Sequence, residues 1–478
     1  MKGEPPREKV QTLDELAAIV RRARAAGRRV VHVRGVFDLL NNGHIQRLEM
    51  ARRQGDMLVV TLRSDARLGD DRPLLDERLR AEIVARLACV DHVAVEGALS
   101  PDEALAAVGA DTCVDGVDSK VSSGPAVSDD GLPYSAEARA FLREFRRSYP
   151  ADQVIERLRS LSGLRALVVG DTIIDEYHFV RPYGMPLKAP TIAAQFLEGE
   201  AHAGGILAVA NHIAGFCREV HLVTALGARD TREAFVRRHL AKNVEPMLFV
   251  RPDGPTTVKR RYVRKFLVQK LFEVSFFNDE PLPRDLDLEI SRHLQQVVDD
   301  YDLVIVADFG QGFVSHDMIE VLCRQARFLA LNAQLNSINM GYHVVTRYPR
   351  ADYVCIDEDE ARMACRDRYS PLPELVEEIA GDLKVRFMAV TRGHHGSITF
   401  QPGHGAWTVP VLSREVVDTV GAGDAYLAIT APCAAAGFAP ELIGFIGNAV
   451  GALAVRILGN QQPVTPEMLF GSVRELLR

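Results

Sequence analysis

Apolar residues recur along this chain in two spacings. Short runs rich in valine, isoleucine and leucine alternate with longer stretches in which apolar positions return every three or four residues. The first kind reads as buried strands, the second as amphipathic helices. Thr12 and Glu15 fit a capping box ahead of a helical pattern from Leu13 to Ala26, which Gly27 can end. A valine-rich strand follows at Arg29–Arg34, then an amphipathic helix at Ile45–Gln54 and a strand at Met57–Leu62. A helix at Glu77–Leu87 and a strand near His92–Glu96 complete the run. Alternation at these lengths predicts a parallel sheet with helical crossovers. Sites on such sheets lie beyond the C-terminal ends of the strands, where Gly35–His44 falls.

The pattern breaks over residues 118–160. A stretch rich in Ser, Gly, Asp and Pro leads into charged helical patterns at Ala136–Tyr149 and Ala151–Ser160, read as a linker with bridging helices. A second run then begins, with apolar strands at Leu164–Val169, Leu303–Val306, Phe328–Leu331, Tyr353–Ile356 and Phe387–Val390. Thr191–Leu197 and Thr257–Phe277 alternate like half-exposed strands and carry Lys259, Arg261, Arg264 and Lys265. The apolar stretch Leu442–Leu458 is interrupted by Asn448 and Arg456. It falls short of the ~20 residues of a bilayer span and reads as a buried helix. The expectation is an α/β protein of two domains, residues 1–118 and 161–478, joined by 119–160.

Composition narrows the field. A chain of 478 residues exceeds one compact core, and its apolar and charged fractions, 47% and 25%, are those of a globular protein. A net charge of -7 gives no support to a nucleic-acid or anionic-membrane partner. Seven cysteines without a CxxC pair speak against a zinc site or a disulfide framework and read as thiols of a reducing compartment. The opening Met-Lys-Gly-Glu-Pro-Pro lacks the apolar core of a secretory signal, so a cytoplasmic location is expected.

The densest chemistry lies in Val416–Ala428. Gly421 and Gly423 let the backbone turn sharply, and Asp424 opens an apolar helical run. Several N–H groups then point at one spot, backed by the positive end of the helix dipole. Such a spot suits a phosphate or the charge on a moving phosphoryl group. Asp424 is placed to take a proton from a hydroxyl, or is an ordinary N-cap.

This stretch resembles the Asp-Thr-x-Gly-Ala-Gly-Asp signature of the ribokinase-like (PfkB) sugar kinases at all six specified positions. The resemblance covers roughly residues 163–470 and implies a ribokinase-like α/β/α domain with a small β-sheet lid. It implies Asp424 as catalytic base, Gly421, Ala422 and Gly423 as anion hole, and Asp418 on the sugar side. It also implies ATP, Mg²⁺, a sugar or sugar-phosphate substrate and a homodimer formed through the lid.

Asp171 and Asp175, near a strand end, could each accept hydrogen bonds from sugar hydroxyls or be a turn aspartate. Members of the family begin with such a strand and Gly-Asp pair. Gly204 and Gly205 match their glycine pair, while the asparagine usual three residues later is Ala208. Lys259 and Arg261 suit a substrate bearing phosphate or carboxylate, or a solvated lid surface. Asp308-Phe-Gly-Gln-Gly312 resembles the Asp-Tyr-Gly-Lys-Gly stretch of heptose kinases, with glutamine for lysine. Asn332–Asn336 stands where an Asp-Pro-Lys-like segment is common, leaving Arg347 and Arg350 as candidate replacements at the ATP phosphates. Asp357 and Glu360 suit a hydrated cation or an acidic first helical turn. By resemblance they bind Mg²⁺ through water, while Thr391, Gly393 and Gly396 line the nucleotide and Asn448 lies near its base.

Over about residues 28–118 the chain resembles the cytidylyltransferase superfamily, a Rossmann-like nucleotidyltransferase fold. The matching residues are Gly35, Phe37, Asp38, Gly43, His44, Ser64, Asp65, Arg72-Pro73 and Arg80. The family's His-x-Gly-His motif grips nucleotide phosphates with two imidazoles; here Asn41 stands at the first, and asparagine carries no charge. Asp115 replaces a lysine, and Val121–Gly124 is a weak counterpart of the segment that closes over the triphosphate. These losses lead to the expectation of a weak or inactive transferase, with CTP or ATP as its nucleotide, in which His44 is a ligand or a structural histidine.

Three functions are compatible with the residues. The first is ATP-dependent phosphorylation of a sugar or sugar phosphate in a heptose-like activated-sugar pathway. The second adds nucleotidyl transfer onto a sugar 1-phosphate. The third is a non-catalytic protein that binds nucleotide or sugar phosphate at altered sites. The two-domain pairing resembles the bifunctional heptose kinase/nucleotidyltransferases with the domain order reversed.

Overall fold

A computed structural model of the chain describes residues 9–38, 40, 42–67, 73, 75–97, 101–114, 134–184, 192–265, 269–336, 339, 341–413 and 416–478. It divides into two compact units. One comprises Met1–Ser122 with His178–Glu198 and Tyr262–Leu271; the other comprises Ser123–Tyr177, Gly199–Arg261 and Phe272–Arg478.

The first unit is built on a parallel sheet in the order Val10–Gln11, His92–Val95, Met57–Leu62, Val30–Gly35, Thr112–Val114. Its strands are apolar on both faces because helices cover both. Val31, Val33, Leu58 and Val60 pack with Leu48, Ala81 and Val84 on one side. Val30, Met57 and Val59 pack with Leu16 and Val20 on the other. The first helix spans Leu13–Ala25 and carries the expected capping box of Thr12 and Glu15. The helix Pro101–Val108 and the strand Thr112–Val114 were not anticipated.

The second unit holds a nine-stranded sheet. Its order is Val244–Pro255, Glu219–Arg229, Arg165–Gly170, Leu303–Asp308, Leu329–Ala333, Tyr353–Asp357, Phe387–Thr391, Ser397–Gln401, Gly405–Val409. Pairing is parallel as far as Phe387–Thr391 and antiparallel beyond it. Side chains of one strand sort alternately onto two cores, Ala166 and Val168 to one face and Leu167 and Val169 to the other. The helices Ala422–Ala435 and Pro440–Ala454 cover the first face; His316–Gln325 and Leu372–Asp382 cover the second. No helix of the described residues is long and apolar enough to cross a membrane.

The helices expected to bridge, Ala136–Ser148 and Ala151–Ser160, are part of this core. Leu142, Phe145, Val154, Ile155 and Leu158 join the first cluster, and the Phe145 ring stacks on Phe445 at 4.4 Å. A four-stranded sheet in the order Gln269–Phe276, Thr257–Arg264, Thr172–Gly184, Ala193–Gly205 supplies the expected lid strands. The segment after Gly170, read as a turn, becomes the 13-residue strand Thr172–Gly184 and carries Asp175 into that sheet.

Candidate active site

Asp424 is the third residue of the helix Ala422–Ala435 and makes no capping bond; Gly421 is the N-cap. Gly421 has φ +82°, and a Cβ there would lie 2.0 Å from Asn460 Oδ1, so only glycine fits. Around Gly423 the opposite holds, with no atom within 4 Å of where a Cβ would sit. The backbone faces open space there, and its N–H has no acceptor among the described residues. Ala422 N–H makes a long turn bond to Thr419 O, 3.3 Å, so Gly423 is the freer donor of the expected anion hole. Residues Ala425–Ala434 are buried, which fixes the helix axis and the dipole behind these amides.

The Asp424 carboxyl is pushed up to about 7 by burial, then by the Asp175 charge, and is drawn down by Lys259. Lys259 has no hydrogen bond or ion pair among the described residues. Asp175 is buried, paired with Arg261 Nη1 and reached by Asn460 Nδ2 at 3.3 Å. Arg261 also pairs with Glu273 through Nε, 3.0 Å. A Cβ on Gly204 would lie 2.1 Å from Asp175 Oδ2, so the glycine pair makes room for this carboxylate; Gly205 takes φ +54° to turn into the next helix.

Three further aspartates proposed for the sugar are held by protein donors. Asp171 accepts from the Phe309 and Phe313 amides at 2.9 and 3.3 Å, and burial, then Asp308, raises it to about 6. Asp308 accepts from Tyr348 Oη at 2.7 Å and Arg347 Nη1 at 3.3 Å, and His343 Nε2 lies 3.0 Å from it without hydrogen-bond alignment. Asp418 accepts from Tyr177 Oη, Gly459 N and Val420 N at 2.7, 3.0 and 3.1 Å. Arg347 and Arg350, offered as replacements at the ATP phosphates, are spent on the scaffold. Arg347 binds Asp308 and Val314 O, and Arg350 binds Cys323 O, Ala326 O and Asp352. Tyr177, His343, Tyr348 and Asn460 escaped the sequence reading because each reaches its partner only through the fold.

On the nucleotide side Asp357 and Glu360 form a reciprocal capping box with both bonds at 2.7 Å. Glu360 also accepts from Leu335 N at 3.0 Å and is lifted to about 8 by burial and then by Asp357. Two carboxylates that repel each other and lie within reach of the Asp424 field fit a divalent cation held through water, which would relieve the repulsion. Thr391, Gly393 and Gly396 form the turn between two antiparallel strands. Gly396, at φ +80°, abuts Val409 O. Asn448 donates to Ser397 Oγ at 2.6 Å and to Gly444 O, fastening its helix to the strand after that turn.

The first unit gathers its candidates at the end of Val30–Gly35. Phe37 is buried with φ 54°, a strained value for a bulky residue, and its ring meets His44 edge-on at 6.0 Å. Gly43 and His44 lie in the first turn of the helix Asn42–Arg52, and His44 is buried. Asp38 accepts from Leu75 N and pairs with Arg264 of the same unit, both at 3.2 Å. Ser64 donates to Gly97 O at 2.6 Å. Arg80, with no exposed surface, binds Leu75 O, Val36 O, Arg63 O and Asp65, which spends four of its donors internally. A buried pair the sequence reading missed, Arg34 with Glu96 at 2.5 Å, sits beside Gly35; a charged residue inside a valine run was its signal. Asn41, Arg72, Asp115 and residues 121–124 lie outside the described residues.

A family described as pfkB family carbohydrate kinase matches residues 164–468, and one described as cytidylyltransferase-like matches 33–176. The bifunctional protein HldE of Pectobacterium atrosepticum is 26% identical over 313 residues, covering 64% of this chain and 63% of that protein. The HldE of Shewanella amazonensis is 28% identical over 305 residues, with coverages of 63% and 62%. The chain thus spans under two thirds of the length of these relatives. Among solved structures, a putative ribokinase from Agrobacterium tumefaciens superposes with a TM-score of 0.51 at 17% identity, covering 66% of this chain and 99% of that one. Escherichia coli phosphofructokinase-2 with substrates and products gives 0.53 at 14% identity, covering 66% and 100%. At these identities the superpositions speak to fold alone.

Proposed function

The chain belongs to the pfkB family of carbohydrate kinases, and from that premise we propose that it transfers the γ-phosphoryl group of ATP to a hydroxyl of a sugar or sugar phosphate. The observation that carries this is Asp424 at the mouth of a helix, beside the open Gly423 amide and within the fields of Asp175 and Lys259. Asp175 receives an acceptor hydroxyl, and Lys259, unpartnered among the described residues, faces the charge of an anionic acceptor or of the moving phosphoryl group. The Asp424 carboxylate takes the proton from the attacking hydroxyl as its oxygen bonds to the γ-phosphorus. The bond from phosphorus to the bridging oxygen breaks, and ADP leaves. The Gly423 amide and the helix dipole oppose the charge that spreads over the γ-oxygens. Mg²⁺, held through water by Asp357 and Glu360, would neutralise the nucleotide's phosphates. Lid strands over the acceptor exclude water that would compete for the phosphoryl group.

The substrate class we favour is a phosphorylated sugar of the heptose-like, activated-sugar kind, used in the cytoplasm. The HldE similarity and the basic residue Lys259 support it. A second copy docking on the lid is supported by Phe272, Val274 and Phe276, which alternate along the edge strand and are all exposed. A second reading adds nucleotidyl transfer from ATP or CTP. Arg80 and Arg264 are both spent on protein carboxylates, Asp65 and Asp38, which weighs against a strong grip on triphosphate there.

The test is ADP release with MgATP and a panel of sugars and sugar phosphates, alongside pyrophosphate release with CTP or ATP and sugar 1-phosphates. Turnover in the first assay supports the kinase. Nucleotide binding without turnover in either would replace it with a binding protein.

A further inference from the structure

Asn460 touches both halves of the proposed phosphoryl-transfer site. Its Nδ2 donates to Asp175 Oδ2 at 3.3 Å, and its Oδ1 lies where a Cβ on Gly421 would come within 2.0 Å. Gly421 is the residue from which the anion-binding turn starts, and Asp175 is the carboxylate whose charge Asp424 feels. The loop behind Asn460 is anchored as well. Gly459 N donates to Asp418 Oδ2 at 3.0 Å, the same oxygen receives Tyr177 Oη at 2.7 Å, and Gly459 packs against the Tyr177 ring. A small cavity lined in part by Asn460 is also bounded by Ala208, Asn211, His202 and Gln461. Gln461 is held by Glu200 at 2.9 Å. Asn460 is therefore a rigidly mounted amide between two active-site elements, with open space next to it into which a displaced neighbour could move.

We propose that Asn460 is a positioning residue that sets the separation between the acceptor-binding carboxylate Asp175 and the anion-binding turn at Gly421. The inference rests on the kinase reading above. Asp175 has two protein partners, and they constrain it differently. Arg261 is a long side chain on Thr257–Arg264, the strand paired with the one that carries Asp175. Asn460 belongs to the loop that follows the helix Pro440–Ala454, part of the packed second unit. The amide thus ties Asp175 to the packed core of the second unit and keeps the acceptor hydroxyl in line with the γ-phosphate. Its chemistry suits the task, because an amide can donate to a carboxylate and present a neutral oxygen to the glycine backbone at once. An aspartate of the same shape would repel Asp175, and an alanine would release it.

The experiment uses the full chain with Asn460→Ala and Asn460→Asp. With an acceptor that supports turnover, KM for the acceptor is expected to rise about tenfold in the alanine variant, the worth of one buried hydrogen bond, and further in the aspartate variant. KM for ATP should stay within about twofold, since tenfold already corresponds to 1.4 kcal/mol. Equal loss in both KM values, or none, overturns the proposal. A crystal structure of Asn460→Ala reads the geometry without any acceptor. A carboxylate of Asp175 turned from its wild-type position, or Gly421 relaxed toward the vacated space, supports the proposal, and an unchanged pair overturns it. Wild-type protein inert on every acceptor defeats the kinase reading instead, and the crystallographic comparison then decides the positional claim alone.

Discussion

Replacing Asp424 with asparagine separates chemistry from stability, because the same burial governs both. The carboxyl is held at about 7 against an ordinary 3.8, chiefly by burial. The base works only when ionised, so acceptor kcat/KM should fall about tenfold per pH unit below 7 and level off above it. The amide of the Asp424→Asn variant can accept no proton at this step, and the expected loss is about 10²–10⁴-fold, with the acid limb abolished. Stability runs the other way. A group whose folded pKa is raised contributes stability that is full below its unfolded value and is lost as pH climbs through the folded one. Between pH 4 and 8 the wild type therefore gives up stability that Asp424→Asn keeps. The full gap corresponds to roughly 4 kcal/mol, and water in the recess reduces it to about 1–2 kcal/mol. The assays are a pH series of ADP release with saturating MgATP and parallel thermal melts at pH 5 and 8. A variant that keeps turnover within tenfold, or an acid limb that survives the substitution, refutes Asp424 as the base. A melting-temperature difference between variant and wild type that is the same at both pH values refutes the burial argument.

Gly204→Ala would push a methyl to 2.1 Å from Asp175 Oδ2. A loss of about 1–3 kcal/mol in chemical denaturation is expected together with a raised acceptor KM; unchanged values for both would show that the carboxylate is free to move. Glu360→Gln removes a carboxyl that only a bound cation would hold ionised near neutral pH, so half-maximal activity should need several-fold more Mg²⁺ while the folded state is no less stable. An Mg²⁺ titration superimposable on the wild type would take Glu360 out of the cation site. Lys259→Met should raise KM about 10–100-fold for a phosphorylated acceptor and little for a neutral sugar, given what a hydrogen bond to a charged group contributes. A uniform loss across both acceptor kinds would assign Lys259 to the nucleotide instead.

Much of the fold was legible because its strands are short apolar runs between helical spacings. Met57–Leu62 and Ala151–Ser160 lie where the pattern put them. The signature around Asp424 was legible because its glycines have a conformational reason, as Gly421 with its positive φ shows. What the sequence could not resolve was which way a carboxylate turns. Asp171 and Asp175 read alike on paper. Asp171 is taken by the backbone of Phe309 and Phe313, more than a hundred residues away, whereas Asp175 enters a strand, and its charge helps raise Asp424. Arg80 likewise read as a site cation, yet its donors close a loop on the protein's own carbonyls. Polarity in a motif announces a bond without saying to whom, since contacts at long sequence separation leave no local trace.

The stacking of Phe145 on Phe445 bears on how the second unit could be handled apart from the rest. A shortened chain beginning at Leu161 would cut away Leu142, Phe145, Val154, Ile155 and Leu158 and lay bare the oily flank of the helix Pro440–Ala454. Such a fragment should clump or be degraded, whereas one starting near Tyr134 would carry its own cover. The packed core of the second unit thus begins well upstream of its strand Arg165–Gly170.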